Sequence, residues 1–377
     1  MSAIDLDYGA LTIDTCIFDG HGIALEKGLF KQLDQFSGSP VKFVLADVVH
    51  HELTAHLTKK IKEAREKVTQ GLRASLAQQL SDQTQNDNAR ALLVGQGDDA
   101  EIAQNRLAAF YASTGAEIVS AEKYASVATL VYMYFQATPP FGPAGEKKHE
   151  FPDALALLTI EAWAKENETK VLAVSSDAGW KKFAESSDHI DVVENLGDAI
   201  SHFQPHNAAR DIIAELAAVI TERKSNRVLD AVASAIENSL DVADIYVEAS
   251  SAYYFEEDDI YATYTNHEYV EEHPGVPEIN VIRIDADSLV LQLVARVTCE
   301  VHCTFSLSVR DPIDKDYVRI GDNSLAQEES YQTEVLVSLS GDFSQGLESL
   351  DVADVEVLET VSHVDFGDVE PDWGYEE

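Results

Sequence analysis

Four acidic side chains stand where an α/β protein usually places its chemistry. Asp14 ends a short apolar run, and Asp177 follows a run of β-branched residues. Asp153 opens an apolar helical segment after a Pro- and Gly-rich loop, and Glu52 lies one turn into a long charged helix. Ligands of open parallel sheets bind beyond the carboxyl ends of the strands, so we expect Asp14 and Asp177 to face one crevice.

Carboxylates gathered in one crevice repel one another, by about 4 kcal/mol per pair at 4 Å and an effective dielectric of 20. They therefore either take up protons or bind a hard cation. Several carboxylates with few other ligands favour Mg²⁺ or Mn²⁺, which keep water ligands and bind phosphate oxygens. A pair of such ions can generate hydroxide and stabilise both ends of an in-line phosphoryl displacement. The four acids thus predict a metal site for phosphoryl chemistry.

Each acid also has a purely structural interpretation. Asp153 is suited to capping the N-terminus of its helix, because Asp is among the preferred capping residues. Asp14 and Asp177 are suited to capping turns, and Glu52 is one acid among many in a charged helix. The presence of all four is harder to explain by capping alone.

Basic residues are grouped beside three of the four acids. Lys147 and Lys148 precede the third acid, and Lys181 and Lys182 follow the fourth. We expect these two pairs, with Ser175, to bind substrate phosphates. A further group on the helix of the second acid comprises Lys59, Lys60, Lys62, Arg65 and Lys67. That group is equally well explained as a solvated helix face paired with neighbouring glutamates.

Two signals that resemble other catalytic motifs are rejected. His51 and His56 flank the second acid as in a zinc protease, but their i, i+5 spacing places them on different helix faces. The segment around Asp19 is similar to the opening of a haloacid-dehalogenase motif, whose second Asp would fall at His21.

The elements that must position the acids alternate between strand and helix in the N-terminal half. Strand-like segments occur near 10–14, 41–46, 169–174 and 190–193, with helical segments between them, the longest over 48–80. This alternation predicts a parallel sheet flanked by helices, an α/β/α architecture.

A single amphipathic helix is predicted over 207–240, and everything after it resembles β structure. Separate strands are predicted at 288–296 and 301–309, among others, in an antiparallel sandwich or barrel of roughly seven strands. The expected domains are an α/β/α domain (1–205), a connecting helix (206–242) and an acidic, mainly antiparallel β domain (243–377).

Charge separates the two parts of the chain. The 377 residues include 67 acidic and 27 basic side chains, a net charge of −40. Residues 206–377 hold 38 acidic and 9 basic side chains, against 29 and 18 in residues 1–205. Such charge argues against sequence-independent coating of nucleic acid but permits a local basic site. Three cysteines and no run of 18 apolar residues lead us to expect a cytoplasmic protein without a membrane span.

The four acids and their neighbours resemble the PIN domain superfamily of metal-dependent ribonucleases, over roughly residues 8–204. The matching segments are Ile13-Asp14-Thr15, His51-Glu52-Leu53, Phe151-Pro152-Asp153-Ala154-Leu155 and Ser175-Ser176-Asp177. The likeness is greatest to a larger bacterial PIN-like branch, with a long helical insertion between the second and third acids. Where the family usually has Asp-Thr-Asn this chain has Cys16, so an amide that often supports the site is missing.

The resemblance implies an endoribonuclease in which Asp14, Glu52, Asp153 and Asp177 hold one or two Mg²⁺ or Mn²⁺ ions. Its products would carry 5′-phosphate and 3′-hydroxyl ends, and as a class it points to bacterial toxin or antiphage ribonucleases. The expected partners are RNA, and a regulatory protein or a second copy bound through the β domain. Two alternatives remain: an inactive PIN-like scaffold whose β domain binds a partner, and a flap-type DNA nuclease or phosphatase using the same acids.

Overall fold

The computed structural model describes residues 8–94, 97–142, 150–204, 209–311 and 314–372. The chain divides into two compact units, Met1–Phe203 and Gln204–Glu377. Within the described ranges, no helix is long and apolar enough to cross a membrane.

A parallel sheet forms the centre of the N-terminal unit. Its strands are β1 (Ala10–Ile13), β2 (Lys42–Ala46), β3 (Glu117–Val119), β4 (Val171–Val174) and β5 (Ile190–Val193). Their order is β3-β2-β1-β4-β5, and every neighbouring pair is parallel. All residues of β1 and β4 are buried, as is typical of strands covered on both faces. The predicted parallel sheet is confirmed, and its strand order reverses between β1 and β4, which is where open sheets bind ligands.

Ten α-helices are described in this unit. They are α1 (Thr15–Gly20), α2 (Gly28–Gln32), α3 (Asp47–Ala77), α4 (Gln83–Leu93), α5 (Asp99–Thr114), α6 (Ala121–Tyr124), α7 (Val127–Gln136), α8 (Phe151–Glu166), α9 (Ala178–Ala184) and α10 (Leu196–Ser201). Helix α3 buries Val49, Leu53 and Leu57, all in its first three turns. Its N-terminal part is therefore fixed in the core, and this is the part that carries Glu52.

The single helix predicted at the start of the second unit is wrong. The structure has two helices, α11 (Arg210–Thr221) and α12 (Arg227–Leu240). Arg223 adopts a left-handed backbone (φ 52°) that ends α11, and the Asn226 side chain accepts the backbone N–H of Val228 to start α12. Capping by Asn thus competes with a continuous helix.

Both helices belong to the core of the C-terminal unit, which differs from the expected connecting role. Ile212 and Leu216 of α11 and Ile236 of α12 form one hydrophobic cluster with strand residues such as Leu291 and Val337. The apolar face that predicted an amphipathic helix therefore packs against the sheet.

The C-terminal unit is mainly antiparallel, as predicted. Its strands are β6 (Tyr246–Ser250), β7 (Tyr254–Tyr269), β8 (Glu271–His273), β9 (Val276–Pro277), β10 (Ile279–Ile284), β11 (Ser288–Arg310), β12 (Tyr317–Ser340), β13 (Asp351–Val357) and β14 (His363–Asp368). The main sheet has the order β10-β11-β12-β13, with β7 also paired to β11. A parallel pair, β14-β6, and a short antiparallel pair, β8-β9, stand apart from it.

The two strands predicted at 288–296 and 301–309 are a single strand of 23 residues, β11. Val297, Cys299 and Val301 are buried, whereas Glu300, which lies between Cys299 and Val301, is exposed. The inward–outward alternation therefore continues through the predicted break, and nothing there interrupts the backbone pairing with β12.

Candidate metal and active site

The site is built where the two central strands of the parallel sheet end. Asp14 follows β1 directly, and its backbone N–H donates to the carbonyl of Val174, the last residue of β4, at 3.0 Å. Ser175 and Asp177 come directly after β4. The carboxyl ends of β1 and β4 thus bring Asp14 and the Ser175–Asp177 segment together, as expected from the strand pattern.

Ser175 connects two of the candidate acids. Its hydroxyl donates to Oδ2 of Asp14 at 2.6 Å and accepts the backbone N–H of Asp177 at 3.0 Å. Ser175 is completely buried. The structure therefore differs from the expectation that Ser175 contacts substrate: its hydroxyl is used within the site and positions both aspartates.

Cys16 takes part in the same network. Its thiol donates to Oδ2 of Asp14 at 3.0 Å and lies 3.4 Å from Oγ of Ser176. Burial and the nearby Asp14 carboxylate raise the pKa of the Cys16 thiol, so it keeps its proton and remains a donor. A thiol thus donates a hydrogen bond to Asp14 although the usual amide is missing.

Asp177 combines a structural role with an accessible carboxylate. It is the N-cap of α9, and its Oδ1 accepts the backbone N–H groups of Gly179 at 2.6 Å and Trp180 at 3.2 Å. The capping interpretation is therefore correct for this residue. Its side chain is exposed, and Oδ2 accepts no hydrogen bond from any described residue. One oxygen of Asp177 is fixed by the helix, and the other is left for a ligand.

Asp153 is not a helix cap. The N-cap of α8 is Glu150, and Asp153 is the third helical residue, one place after Pro152. Its Oδ1 accepts the indole Nε1–H of Trp180 at 3.1 Å. Since Trp180 lies in α9, the indole ties the third acid to the helix that the fourth acid caps.

Glu52 is held by α1. The hydroxyl of Thr15, in the first turn of α1, donates to Oε2 of Glu52 at 2.8 Å. Thr15 is buried and directly follows Asp14. The second acid is thereby coupled to the segment that carries the first.

The electrostatics place Asp153 within reach of the other three carboxylates. Burial raises the pKa of Asp153, the Trp180 hydrogen bond lowers it, and the negative charges of Asp14, Asp177 and Glu52 raise it, with a net result of about 7. Burial also raises the pKa of Asp14, with a smaller contribution from Asp177. This is the mutual repulsion expected of clustered carboxylates.

The carboxylate oxygens of the four acids are suitable ligands for a hard cation, although the four side chains do not converge on one point. Among the described residues, no three His, Cys, Asp or Glu side chains are arranged as a ready-made ligand set. Mg²⁺ typically uses one or two carboxylates and keeps several waters, so carboxylates that sense one another without converging still fit it. Asp14, Asp153, Asp177 and Glu52 are the residues that would hold Mg²⁺ or Mn²⁺ here.

The structure describes two of the four predicted phosphate-binding lysines. Lys147 and Lys148 lie outside the described residues. Lys181 forms an ion pair with Glu194 at 2.5 Å, and Lys182 is exposed on α9. Lys182 makes no ion pair within the described part of the chain, so it is the basic group on α9 best suited to meet a phosphate.

The basic group on α3 is mostly a solvated face. Lys59 and Lys62 each approach a glutamate one turn ahead, at 3.9 and 4.0 Å. Arg65 is structural: it pairs with Asp99 at 2.5 Å and donates to the carbonyl of Val94 at 2.8 Å. These contacts favour the helix-face interpretation for the group.

Three supporting residues were not found from the sequence: Trp180, Thr15 and the donor role of Cys16. Thr15 and Cys16 follow Asp14 directly, so proximity was a usable signal for them. Trp180 is separated from Asp153 by 26 residues, and only the pairing of α8 with α9 reveals its contact.

Comparison with known proteins agrees with this geometry. Residues 11–180 match the family model described as PIN domain. No curated protein and no solved structure matches the chain.

Proposed function

The N-terminal unit of this chain belongs to the PIN domain superfamily, a nuclease-type fold, and on that premise we propose that the protein is a metal-dependent endoribonuclease. The observation that carries the proposal is that Asp14 and Asp177, which follow β1 and β4, and Glu52 of α3 all raise the pKa of Asp153 in α8. Four acids without compensating bases form a costly arrangement, and a divalent cation removes that cost.

Each acid is oriented by the chain itself. Ser175 and Cys16 hold Asp14, the first backbone N–H groups of α9 hold Asp177, and Trp180 holds Asp153. Such oriented carboxylates meet the requirement that catalytic ligands be fixed before substrate arrives. When bound, Mg²⁺ or Mn²⁺ would neutralise the acids and activate water for attack on a phosphodiester.

RNA is proposed as the substrate because the family that the chain resembles consists of ribonucleases. The basic rim would consist of Lys181 and Lys182, together with Lys147 and Lys148. Phosphates bound there would release counterions, which makes binding salt-dependent.

A toxin or antiphage role is proposed on the same resemblance, and a cytoplasmic location on the three cysteines of the sequence. The acidic C-terminal unit repels phosphates, since residues 206–377 hold 38 acidic and 9 basic side chains. We therefore propose that this unit binds a regulatory protein or a second copy of the chain, and not RNA.

The test is cleavage of labelled single-stranded RNA and DNA by the full chain with Mn²⁺, with Mg²⁺ or with EDTA. We expect RNA to be cut only when Mg²⁺ or Mn²⁺ is present, leaving 5′-phosphate ends. Asp14→Asn, Asp153→Asn and Asp177→Asn should each lower the cleavage rate at least about 100-fold, the scale expected when transition-state charge stabilisation is removed. Asp188→Asn is the matched control. Asp188 is exposed and precedes β5, so it lies at the amino ends of the parallel strands, whereas Asp14 and Asp177 lie at the carboxyl ends. Cleavage by the triple variant at the wild-type rate would overturn the proposal; cleavage of DNA alone would change its substrate.

A further inference from the structure

One acid–base pair beside the candidate site has no part in the function proposed so far. Asp19, in α1, and His56, in α3, meet through Oδ2 and Nδ1 at 2.7 Å. The two side chains are 39% and 46% exposed. The contact therefore lies at the surface, accessible to a ligand.

This pair is in register with the candidate site. Glu52 and His56 are four residues apart on α3, as Thr15 and Asp19 are on α1, so each pair shares a helix face. Thr15 bonds Glu52 and Asp19 bonds His56, giving two parallel contacts between the helices. The second contact lies one turn, about 5.4 Å along the helix, from the first.

The hydrogen bond determines which nitrogen of His56 faces outward. An ionised carboxylate only accepts, so Nδ1 of His56 is the donor to Asp19. No described residue forms a hydrogen bond with Nε2 of His56. When Nε2 also carries a proton, that N–H group is a charge-assisted donor for an anionic oxygen, and Asp19 orients the ring.

We propose that His56, oriented by Asp19, binds the phosphate adjacent to the one that is cleaved; the inference rests on the proposed nuclease function. The offset of one helical turn is on the scale of the spacing between successive phosphates of a strand. His56 forms a hydrogen bond with Asp19 and none with the four acids, so we do not place it on the scissile group. It would give a substrate approaching four carboxylates a compensating positive charge.

A purely structural staple between α1 and α3 makes different predictions. An exposed ion pair contributes about 0–1 kcal/mol to stability. Its loss would lower the melting temperature slightly and leave substrate binding unaffected. A phosphate contact instead changes the salt dependence of the reaction, because one fewer counterion is released on binding.

The experiment measures kcat and KM of the full chain on single-stranded RNA with Mn²⁺, over a range of salt concentrations. His56→Gln should raise KM roughly ten-fold at low salt and change kcat less than two-fold. The slope of log kcat/KM against log salt should become shallower by about 0.7, the value for one single-strand phosphate contact. Asp19→Asn should shift KM in the same direction.

His51→Gln is the matched control, an exposed histidine on the same helix that points elsewhere. It should leave both KM and the slope unchanged. An unchanged slope in His56→Gln, or a slope change equal to that of His51→Gln, would overturn the inference while leaving the nuclease intact. Failure of the wild type to cut any nucleic acid would instead overturn the proposed function.

Discussion

Asp153 shows how neighbours give one carboxylate properties that its type does not predict. It lies in the first turn of α8, where an acid is favoured by the helix dipole. Burial and three nearby acids nevertheless raise its pKa to about 7. The strand pattern predicted that Asp14 and Asp177 meet, whereas the family resemblance implied that Asp153 and Glu52 join them. The raised pKa of Asp153 was not predictable from the sequence, because it depends on burial and on the hydrogen bond from Trp180.

The raised pKa has a consequence for stability against pH. A carboxyl whose folded pKa lies above its unfolded value of 3.8 stabilises the fold below that value, and the contribution is lost as pH rises through about 7. Asp153→Asn removes the ionisable group, and with it the free-energy cost of ionising a buried carboxyl at high pH. In EDTA it should therefore exceed wild type in free energy of unfolding by about 1–2 kcal/mol at pH 8, after screening, and by less at pH 5.

This difference can be followed by tryptophan fluorescence, since Trp163 and Trp180 are both buried in the N-terminal unit. Asp188→Asn, an exposed acid elsewhere on the unit, is the control and should show no pH-dependent gap. A gap for Asp153→Asn that is the same at pH 5 and pH 8 would contradict the electrostatic account.

At the scale of elements, helix starts do much of the positioning. Helix α9 is capped by Asp177 and supplies Trp180 to Asp153, and α1 begins directly after Asp14 and supplies Thr15 to Glu52. Alternating segments predicted four of the five strands of the parallel sheet, because burial leaves an apolar run, and missed β3, of which only Val119 is buried. The break between α11 and α12 was missed because the apolar spacing continues through it, and only the cap at Asn226 marks it.

The two roles of Asp177 can be separated by substitution. Asn caps a helix about as well as Asp, whereas Ala does not. Asp177→Asn should therefore keep the stability of the wild type within about 0.5 kcal/mol, and Asp177→Ala should lose about 1 kcal/mol. Both should lose metal-dependent cleavage.

Denaturant unfolding in EDTA and RNA cleavage in Mn²⁺ would measure the two effects on the same proteins. Full activity in Asp177→Asn would show that Asp177 is only a cap. Loss of activity in Asp177→Ala alone would lead to the same conclusion.

At the scale of the whole molecule, the chain separates chemistry from charge. The N-terminal unit holds the candidate site, and residues 206–377 carry a net charge of −29, from 38 acidic and 9 basic side chains. Composition predicted this division, and the antiparallel pattern predicted the class of the second unit. The length of β11 was not predicted, since a charged residue such as Glu300 is compatible with either a turn or the exposed side of a strand.

The central claim is that Asp14, Glu52, Asp153 and Asp177 form one metal site. Thermal melting of the full chain tests this claim without a substrate. The fluorescence of buried Trp163 and Trp180 reports the N-terminal unit during heating in EDTA or in increasing Mn²⁺. An ion that binds only the folded site stabilises it by about 2.7 kcal/mol at one hundred times its Kd. The wild-type melting temperature should rise with Mn²⁺, and that of Asp188→Asn should rise equally. Asp153→Asn should melt higher than wild type in EDTA and gain less from Mn²⁺, whereas equal melting in EDTA and equal shifts with Mn²⁺ would contradict the account.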